Sequence, residues 1–370
     1  MHKHADTFGE LDSQMMYRAL VLARQGRFST SPNPRVGCVL AKGSQVVGEG
    51  FHIMAGGPHA EVHALRQAGS LAQGSTAYVT LEPCSHYGRT PPCAKSLIEA
   101  GVSRVVAAMR DPNPLVGGKG LEMLQKAGIA VSCGLLENEA RELNRGFLSR
   151  IERARPFVRL KCAASLDGKT ALANGQSQWI TGEQARADVQ ILRAESCAVI
   201  TGIGTVLADN PQLNVRDFPT LRQPTRIVLD SRLQTPLNSN LIQNGTAPTI
   251  IATLVTETEK LQPYLHHPHV SVIAASEKNG RIDLPKLLGK LADLGFGEVM
   301  VEAGATLAGA FLEEELLDEI VVYQSPKILG GTGRGLFILS ERPQVLTQKS
   351  NWQTIEVTTI GCDIRWTLRQ

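Results

Sequence analysis

Three short motifs constrain this fold most: His59-Ala60-Glu61, Pro83-Cys84 and Cys93. Zinc binds one imidazole and two thiolates in a tetrahedral arrangement, and three protein ligands leave a fourth position open for water. Zinc lowers the pKa of that water to about 7, and a carboxylate such as Glu61 can carry its proton to a leaving group. H-x-E followed by P-C-x-x-C is typical of zinc nucleobase deaminases. Here eight residues, not two, separate the cysteines.

The local pattern predicts how these residues are presented. His59–Gln67 is predicted to be a helix with His59 in its first turn. The apolar strand Ala77–Leu81 ends just before Cys84, and Cys93 opens a helix that runs to Ala100. Helix N-termini stabilise thiolates through the helix dipole and free N–H groups. The three candidate ligands are therefore expected to meet at helix starts and a strand end.

Composition bounds the class of protein. At 370 residues, with 42% hydrophobic and 20% charged residues, the chain is an ordinary globular enzyme of about two domains. A net charge of +3 and 5% aromatic residues argue against a nucleic-acid partner. We find neither an apolar run long enough to span a membrane nor a signal-peptide core. Seven cysteines at irregular spacings favour a reducing cytoplasm.

A charged run that ends in proline, residues 151–156, is the predicted domain boundary. It separates residues 1–150 from residues 151–370, and it follows a long predicted helix over Glu137–Arg150. Strands and helices alternate on both sides, which predicts two α/β domains. The elements predicted after the boundary are the helix Glu183–Glu195 and the strands Phe157–Ala163, Ala198–Thr201, Arg226–Leu229, Thr249–Thr253, Val270–Ala274 and Glu298–Glu302.

Two glycine-containing segments have open interpretations. The turn that begins at Gly304 runs directly into a helix and is either an anion site or simply a tight turn. The segment Gly330–Gly335 either cradles phosphate or is a surface loop.

The motifs taken together resemble the bacterial RibD family, bifunctional pyrimidine deaminase/reductases of riboflavin biosynthesis, from about Asp12 to the C-terminus. The long cysteine spacing belongs to that family. Besides the zinc motifs, the segments that carry the resemblance are Asn33–Gly37, Gly50–His52, Lys161–Gly168, Ser177–Thr181, Thr205–Pro211 and Val301–Gly304.

The resemblance implies a cytidine-deaminase-like α/β/α domain followed by a dihydrofolate-reductase-like α/β domain. It implies one zinc ion per chain, NADPH, a phosphorylated pyrimidine substrate and a homo-oligomer, with no nucleic-acid or membrane partner. The first domain would deaminate a diaminopyrimidinone bearing ribosylamine 5′-phosphate. The second would reduce the opened ribose to a ribityl chain.

The resemblance also implies roles for individual residues. His59, Cys84 and Cys93 match the zinc ligands, Glu61 the proton shuttle, and Asn33 and His52 lie near the ring. The cofactor-contacting matches are Ala163, Trp179, Thr205, Asp209, Ser231, Gly304, Ala305, Thr306, Leu307, Ala308, Gly309 and Ala310. The substrate-contacting matches are Ser177, Arg193, Leu213, Arg216, Glu302 and Lys161. The two arginines are of the type that grips a phosphate, and Ser231 with Arg232 suits the 2′-phosphate of NADPH.

Other interpretations stay open. His63 and His86 are rival zinc ligands, although three matched ligands plus water already complete a tetrahedron. A nucleic-acid editing deaminase would use the same zinc chemistry. A structural zinc protein would close the site with four protein ligands.

Overall fold

The structure is a computed structural model, and it describes residues 8–86, 91–114, 116–340 and 351–370. The chain divides into two compact units that meet between Arg153 and Ala154. Each unit has its own sheet and its own hydrophobic core.

The first unit is a five-stranded sheet flanked by helices. Its strand order is β2-β1-β3-β4-β5, with β1 antiparallel to β2 and β3, and β3, β4 and β5 mutually parallel. The strands are β1 (Gly37–Lys42), β2 (Gln45–Phe51), β3 (Thr76–Val79), β4 (Arg104–Ala107) and β5 (Ala130–Cys133). The helices are α1 (Glu10–Arg24), α2 (Ala60–Ala68), α3 (Cys93–Glu99), α4 (Lys119–Lys126), α5 (Glu137–Leu143) and α6 (Arg145–Arg153).

Strand alternation explains the layers of this unit. Successive side chains of a strand point to opposite faces of the sheet. Val39 of β1 packs with Met16 and Leu20 of α1, whereas its neighbour Leu40 packs with Ala64 of α2 and with side chains of α3 and α4. Helices therefore cover both faces, and the predicted α/β/α class of the first domain is confirmed.

The predicted helix over Glu137–Arg150 is wrong as a single element. It is broken at Asn144, whose side chain accepts a hydrogen bond from Arg35 N and donates one to Arg35 O. This contact joins residues far apart in sequence, so no local pattern indicates it. The second piece, α6, continues to Arg153, so the predicted boundary at residue 150 falls inside a helix.

The second unit is built on a nine-stranded sheet of order β11-β10-β9-β8-β14-β6-β15-β18-β17. The strands of the second unit, four of which lie outside this sheet as the pairs β12-β13 and β16-β7, are β6 (Phe157–Ala164), β7 (Lys169–Ala171), β8 (Ala198–Gly202), β9 (Thr225–Leu229), β10 (Thr249–Thr253), β11 (Val270–Ala274), β12 (Glu277–Lys278), β13 (Arg281–Ile282), β14 (Glu298–Val301), β15 (Glu319–Gln324), β16 (Arg334–Gly335), β17 (Gln353–Ile360) and β18 (Asp363–Arg369). Its helices are α7 (Glu183–Glu195), α8 (Ile203–Asp209), α9 (Asn240–Gln243), α10 (Thr258–Leu265), α11 (Leu284–Asp293) and α12 (Ala305–Glu313).

The parallel part of this sheet determines where polar side chains gather. From β11 to β15 in the sheet order, each strand pairs in parallel with its neighbour. Beyond them, β18 pairs antiparallel with β15, and β17 pairs antiparallel with β18. Ligands of open α/β sheets bind beyond the carboxyl ends of the strands. Ser231 and Glu302 follow the ends of β9 and β14, and Gly304 precedes α12.

One buried carboxylate ties α1 to the first sheet. Asp12 is 7% exposed and accepts hydrogen bonds from both Arg104 Nη atoms at 2.8 and 3.1 Å and from the Tyr78 hydroxyl at 2.8 Å. Burial acts to raise the pKa of Asp12, but the hydrogen bonds from Arg104, Tyr78 and Gly9 outweigh it and hold the pKa below the ordinary 3.8.

We predict that Asp12→Asn lowers the free energy of unfolding of the first unit by about 2 kcal/mol, because a charged pair and its hydrogen bonds are lost. Hydrogen exchange of amides in α1 and β3 measures this loss. In the unmodified protein the contribution is complete above the unfolded pKa of Asp12 and disappears as the pH falls through its lower folded value. Glu10→Gln, on the same helix, is the matched control. Equal protection in the Asp12 and Glu10 variants would contradict the prediction.

Candidate metal centre and second polar site

Three side chains from separate elements converge in the first unit. His59 is the N-cap of α2, Cys84 follows β3, and Cys93 is the first residue of α3. The His59 Nδ1 atom lies 3.6 Å from Cys84 Sγ and 3.3 Å from Cys93 Sγ, and all three ligand atoms are within 4.8 Å of one another. His59 thus precedes the helix instead of lying in its first turn, because its backbone is still extended (φ −74°, ψ 166°).

The spacing of these atoms fits zinc. Zinc–sulfur and zinc–nitrogen bonds at tetrahedral angles separate a nitrogen ligand from a sulfur ligand by about 3.6 Å. The distances from His59 Nδ1 to the two sulfurs are close to that value. Within the described part of the chain, the group of potential ligand atoms contains neither His63 nor His86. Three protein ligands would leave a fourth zinc position open.

The electrostatics of the two cysteines also call for a cation. The Cys93 thiol and the His59 ring hydrogen-bond to Cys84 and lower the pKa of Cys84 to about 4. The resulting thiolate, together with burial, raises the pKa of Cys93. Two thiolates this close repel each other strongly in a buried site. A bound metal cation would allow both sulfurs to be ionised.

Glu61 is the buried carboxylate of this centre. It lies in the first turn of α2, is 3% exposed and forms a side-chain hydrogen bond with Cys93. Burial raises the pKa of Glu61 to about 7, against the smaller opposing effects of its hydrogen bonds and the His59 charge. The carboxylate is therefore beside the candidate metal ligands without being one of them.

Asn33 and His52 are in contact with each other near the same centre. The His52 ring lies edge-on to the His59 ring, with centroids 5.5 Å apart. His52 Nδ1 is 3.0 Å from Pro58 O, an acceptor, so this nitrogen carries the proton. His52 Nε2 then accepts from Asn33 Nδ2 at 3.2 Å. The carbonyl oxygen of the Asn33 side chain is thereby turned away from His52.

A second cluster of charges lies in the second unit around Glu302. Its carboxylate is 10% exposed and accepts from Arg193 Nε at 2.6 Å and Arg193 Nη2 at 3.0 Å, while Lys161 Nζ is 3.6 Å away. Although burial opposes it, Arg193 and Lys161 lower the pKa of Glu302 to about 2. The carboxylate is therefore ionised and accepts hydrogen bonds only.

The expectation that Arg193 and Arg216 grip a phosphate together needs correction. The fork of Arg193 is directed at Glu302, and its Nη1 donates to Asn214 O. Arg216 Nη1 donates to Asn214 Oδ1 at 3.1 Å. Burial and the neighbouring Arg193 charge lower the pKa of Arg216. Arg193 is thus bonded to Glu302 and to the Asn214 backbone, whereas Arg216 bonds to the Asn214 side chain.

The remaining sequence-matched positions are spread over several elements of the second unit. Gln178 Nε2 donates to Asp209 Oδ1 at 3.2 Å, which joins the segment after Ser177 to α8. Trp179 is 62% exposed, and the Arg186 guanidinium lies 4.7 Å from its ring centroid. The other matched positions are Ala163 in β6, Thr205 in α8, Ser231 after β9, Leu213 in a buried loop, and Gly304 to Ala310, which form the N-cap and first six residues of α12.

Sequence reasoning missed two features of these sites. Glu82 accepts four backbone hydrogen bonds beside Cys84. In the sequence, only the position of Glu82 directly before Pro83-Cys84 indicates that this side chain belongs to the site. The segment Gly330–Gly335, interpreted as a phosphate cradle or a surface loop, is mostly exposed turn, and its last two residues form the short strand β16, which pairs with β7.

Residues 9–109 match the family described as the cytidine and deoxycytidylate deaminase zinc-binding region, and residues 156–365 match the RibD C-terminal domain. The chain is similar to the riboflavin biosynthesis protein RibD of Escherichia coli, with 49% identity over 95% of this chain and 98% of that protein. It is also similar to RibD of Haemophilus influenzae, with 46% identity over 97% of this chain and 98% of that protein.

Solved structures agree with these matches. Form 1 of Acinetobacter baumannii RibD superimposes with a TM-score of 0.89 at 46% identity, over 97% of this chain and 99% of that one. A diaminohydroxyphosphoribosylaminopyrimidine deaminase/5-amino-6-(5-phosphoribosylamino)uracil reductase from Thermotoga maritima gives a TM-score of 0.84 at 35% identity, over 97% and 98%. In the described residues, no helix is long and apolar enough to cross a membrane.

Fold and site together define an enzyme that joins a zinc deaminase domain to a reductase domain. The chain belongs to the RibD family. It is a bifunctional deaminase/reductase of riboflavin biosynthesis that uses zinc and NADPH, as the resemblance implied, and the predicted two-domain fold class is confirmed.

We predict that Cys93→Ala empties the metal centre, because His59 and Cys84 alone are too few ligands for tight zinc binding. Metal analysis of purified protein should give one zinc per unmodified chain and almost none for the variant. Cys133→Ala is the matched control, since Cys133 lies in β5 outside the group of ligand atoms. A full zinc content in the Cys93 variant would refute the ligand assignment.

Proposed function

We propose that the first unit deaminates 2,5-diamino-6-ribosylamino-4(3H)-pyrimidinone 5′-phosphate at the centre formed by His59, Cys84 and Cys93. The observation that carries this proposal is the convergence of three ligand atoms within 4.8 Å beside the buried Glu61. Zinc bound there supplies a water molecule whose pKa is lowered to about 7. The substrate class is the phosphorylated pyrimidine named for the similar Thermotoga maritima enzyme. The near-neutral net charge of the chain agrees with a small-molecule substrate.

Glu61 moves the protons of this reaction. Its carboxylate takes one proton from the water and gives it to a ring nitrogen as the hydroxide adds to C2. It then takes the proton of the new hydroxyl group on C2 and gives it to the amino group, which leaves as ammonia when the C2–N bond breaks and the C2 carbonyl forms. Burial suits this role, because a carboxyl group with a raised pKa both gives and takes a proton near neutral pH. Glu61 contacts Cys93 and is two residues from His59, so its reach to the open metal position is short.

Asn33 recognises the pyrimidine ring in this proposal. His52 accepts the hydrogen bond of the Asn33 amide nitrogen, and His52 itself is fixed by Pro58 O. The Asn33 carbonyl oxygen is then not engaged by His52. A carbonyl oxygen accepts hydrogen bonds from an N–H or amino group, which the diaminopyrimidinone offers.

The second unit reduces 5-amino-6-(5-phosphoribosylamino)uracil to its ribitylamino product. NADPH supplies the hydride that C1′ of the opened ribose receives. Reduction also requires a proton on the sugar, and Lys161 holds one close to the site. Lys161 Nζ lies 3.6 Å from the Glu302 carboxylate, so this ion pair holds the amine beside the site. Glu302 is fixed in turn by Arg193, which orients the carboxylate for a ring amide or hydroxyl.

The phosphate of the substrate binds at Arg216, and the dinucleotide binds at the carboxyl edge of the parallel strands. The contacting positions of the dinucleotide are the sequence-matched Ala163, Trp179, Thr205, Asp209 and Ser231, with Gly304 to Ala310. The free N–H groups at the start of α12 suit its pyrophosphate. Ser177, Leu213 and Arg216 contact the substrate together with Glu302.

The protein is also proposed to be a homo-oligomer. Strand β17 ends the large sheet and, among the described strands, pairs only with β18. Two apolar residues of β17, Ile355 and Val357, are 54% and 51% exposed. An exposed apolar edge strand is a template for pairing with another chain. A second copy would cover it.

We place both activities in the cytoplasm. All seven cysteines are free thiols. Cys84 and Cys93 must stay reduced to bind metal, and a reducing compartment maintains such thiols.

The oligomer proposal predicts a sedimentation mass above the 39.9 kDa of one chain. Val357→Lys should shift the mass toward that of one chain, because pairing of the edge with a second copy would then bury a charged side chain. Leu221→Lys, at a residue that is 75% exposed outside the sheet edge, is the control and should leave the mass unchanged. A single-chain mass for the unmodified protein would refute the proposal.

The two activities are predicted to separate by substitution. Glu61→Gln should keep the zinc and the fold and lower the deamination rate by about 10²–10⁴-fold, because the general acid–base group is lost. The same variant should reduce externally supplied deaminated intermediate at nearly the unmodified rate. Glu302→Ala should impair NADPH oxidation and leave ammonia release intact.

Ammonia release and NADPH absorbance measure the two reactions independently. If each variant, still folded, lost both activities in parallel, the assignment of one reaction to each unit would be wrong.

A further inference from the structure

Asn214 is a buried residue of the loop between α8 and β9, beside the charged cluster around Glu302. It is 4% exposed, and so is its neighbour Val215. A buried loop has to satisfy its backbone polar groups within the protein. Asn214 O accepts from Arg193 Nη1 at 3.1 Å, and both backbone groups of Val215 bond to the side chain of Gln223. The loop is therefore bonded to α7, which carries Arg193.

The side chain of Asn214 bonds to a second guanidinium group. Its Oδ1 accepts from Arg216 Nη1 at 3.1 Å, and its Nδ2 donates to Thr246 Oγ1 at 3.0 Å. A guanidinium group carries donors only, so the amide atom that faces Arg216 has to be the oxygen. The bond to Thr246 holds the amide in this orientation. The two carbonyl oxygens of one buried residue therefore hold the two guanidinium groups of Arg193 and Arg216.

The charged cluster around Glu302 contains more positive than negative side chains. Arg193 and Lys161 both contact the Glu302 carboxylate, and Arg216 joins them through the contact just described. The exposed carboxylate of Asp217 also favours the charged form of both arginines. Like charges held this close repel one another, and an anion bound beside them relieves the repulsion. The cluster is therefore suited to a negatively charged group of the substrate.

Arg216 can offer hydrogen bonds to such an anion. The residue is exposed, and among the described residues no side chain or carbonyl accepts from its Nε and Nη2 atoms. A guanidinium group can bind a phosphate through two parallel N–H bonds. Arg193 differs, because its Nε and Nη2 atoms both donate to Glu302. Directed hydrogen bonds to a phosphate would therefore come from Arg216, while Arg193 contributes its charge.

We propose that Asn214 is a positioning residue of the reductase: its buried side-chain carbonyl holds the Arg216 guanidinium in the orientation that binds the 5′-phosphate of the substrate. This inference rests on the proposed function, which places that phosphate at Arg216. Asn214 itself need not contact the phosphate, since both ends of its amide are already bonded. Its loss should therefore weaken recognition of the phosphate and leave hydride transfer and deamination unchanged.

Asn214→Leu removes the amide and keeps the backbone bond to Arg193. We expect the reductase KM for 5-amino-6-(5-phosphoribosylamino)uracil to rise about 10-fold with kcat within about twofold, because a charged group loses one orienting hydrogen bond. Inhibition by inorganic phosphate should weaken by a similar factor. The kcat/KM for the dephosphorylated intermediate should stay unchanged, whereas a general disturbance of the site would lower it as well.

Asn214→Asp tests the same contact with an isosteric side chain. A carboxylate at this position still accepts from Arg216 and from the Thr246 hydroxyl, but it neutralises the guanidinium and repels a phosphate. The KM for the phosphorylated intermediate should therefore rise at least as much as in Asn214→Leu. Asn238→Leu is the matched control, because Asn238 is exposed in the segment between β9 and α9. It should leave both activities and the effect of inorganic phosphate unchanged.

The inference is overturned if the KM for the phosphorylated intermediate stays within about twofold of the unmodified value in either folded Asn214 variant. It is also overturned if the phosphorylated and dephosphorylated intermediates lose kcat/KM equally. If Asn214→Leu does not accumulate as folded protein, Asn214→Asp decides the matter.

Arg216→Met in the same assay separates this inference from the proposed function. If Arg216→Met abolishes the preference for the phosphorylated intermediate and the Asn214 variants retain it, only the role of Asn214 is refuted. If Arg216→Met retains the preference, the phosphate site of the proposed function is wrong, and the role of Asn214 is refuted with it.

Discussion

The first unit depends on a cation at the point where two sulfur atoms and one imidazole nitrogen lie within 4.8 Å of one another. Two thiolates at this distance are stable only beside a cation, and the elements that carry them come from distant parts of the sequence. A strand end delivers Cys84, and helix starts deliver His59 and Cys93. The α/β/α layering is the means by which three such termini reach one point, so metal binding and correct folding of this unit favour each other.

Three buried glutamates illustrate how surroundings assign roles to identical side chains. Glu302 is held by an arginine fork and stays ionised, which suits an acceptor and an orienting group. Glu82 satisfies four backbone N–H groups and thereby positions a segment. Glu61 is buried and has no arginine or lysine partner among the described residues, and its pKa is raised to about 7, which suits a group that gives and takes protons.

The sequence predicted correctly those helices, strands and site residues that local sequence patterns determine. The spacing of apolar residues indicated α7, β10 and β11 with their observed bounds, and the zinc motif indicated which side chains would converge. What it could not predict depends on contacts between distant residues. Asn144 breaks a helix because it bonds to the Arg35 backbone. Arg193, predicted to bind phosphate, donates its hydrogen bond to Glu302. A guanidinium of the right type at the right position still has several possible acceptors, and only the folded chain selects one.

The separation of the two cores gives a physical reason why one chain can carry two unrelated reactions. In the proposed function, proton transfer at the metal centre uses a buried, readily protonated carboxyl group, whereas the reductase site uses an ionised carboxylate beside a lysine. Glu61 and Glu302 could not have both environments within one pocket, because an arginine close enough to fix Glu302 would also keep Glu61 ionised. Each carboxylate instead lies against its own sheet, with its own surrounding charges. The pKa of each can therefore be tuned by its own neighbours without cost to the other reaction.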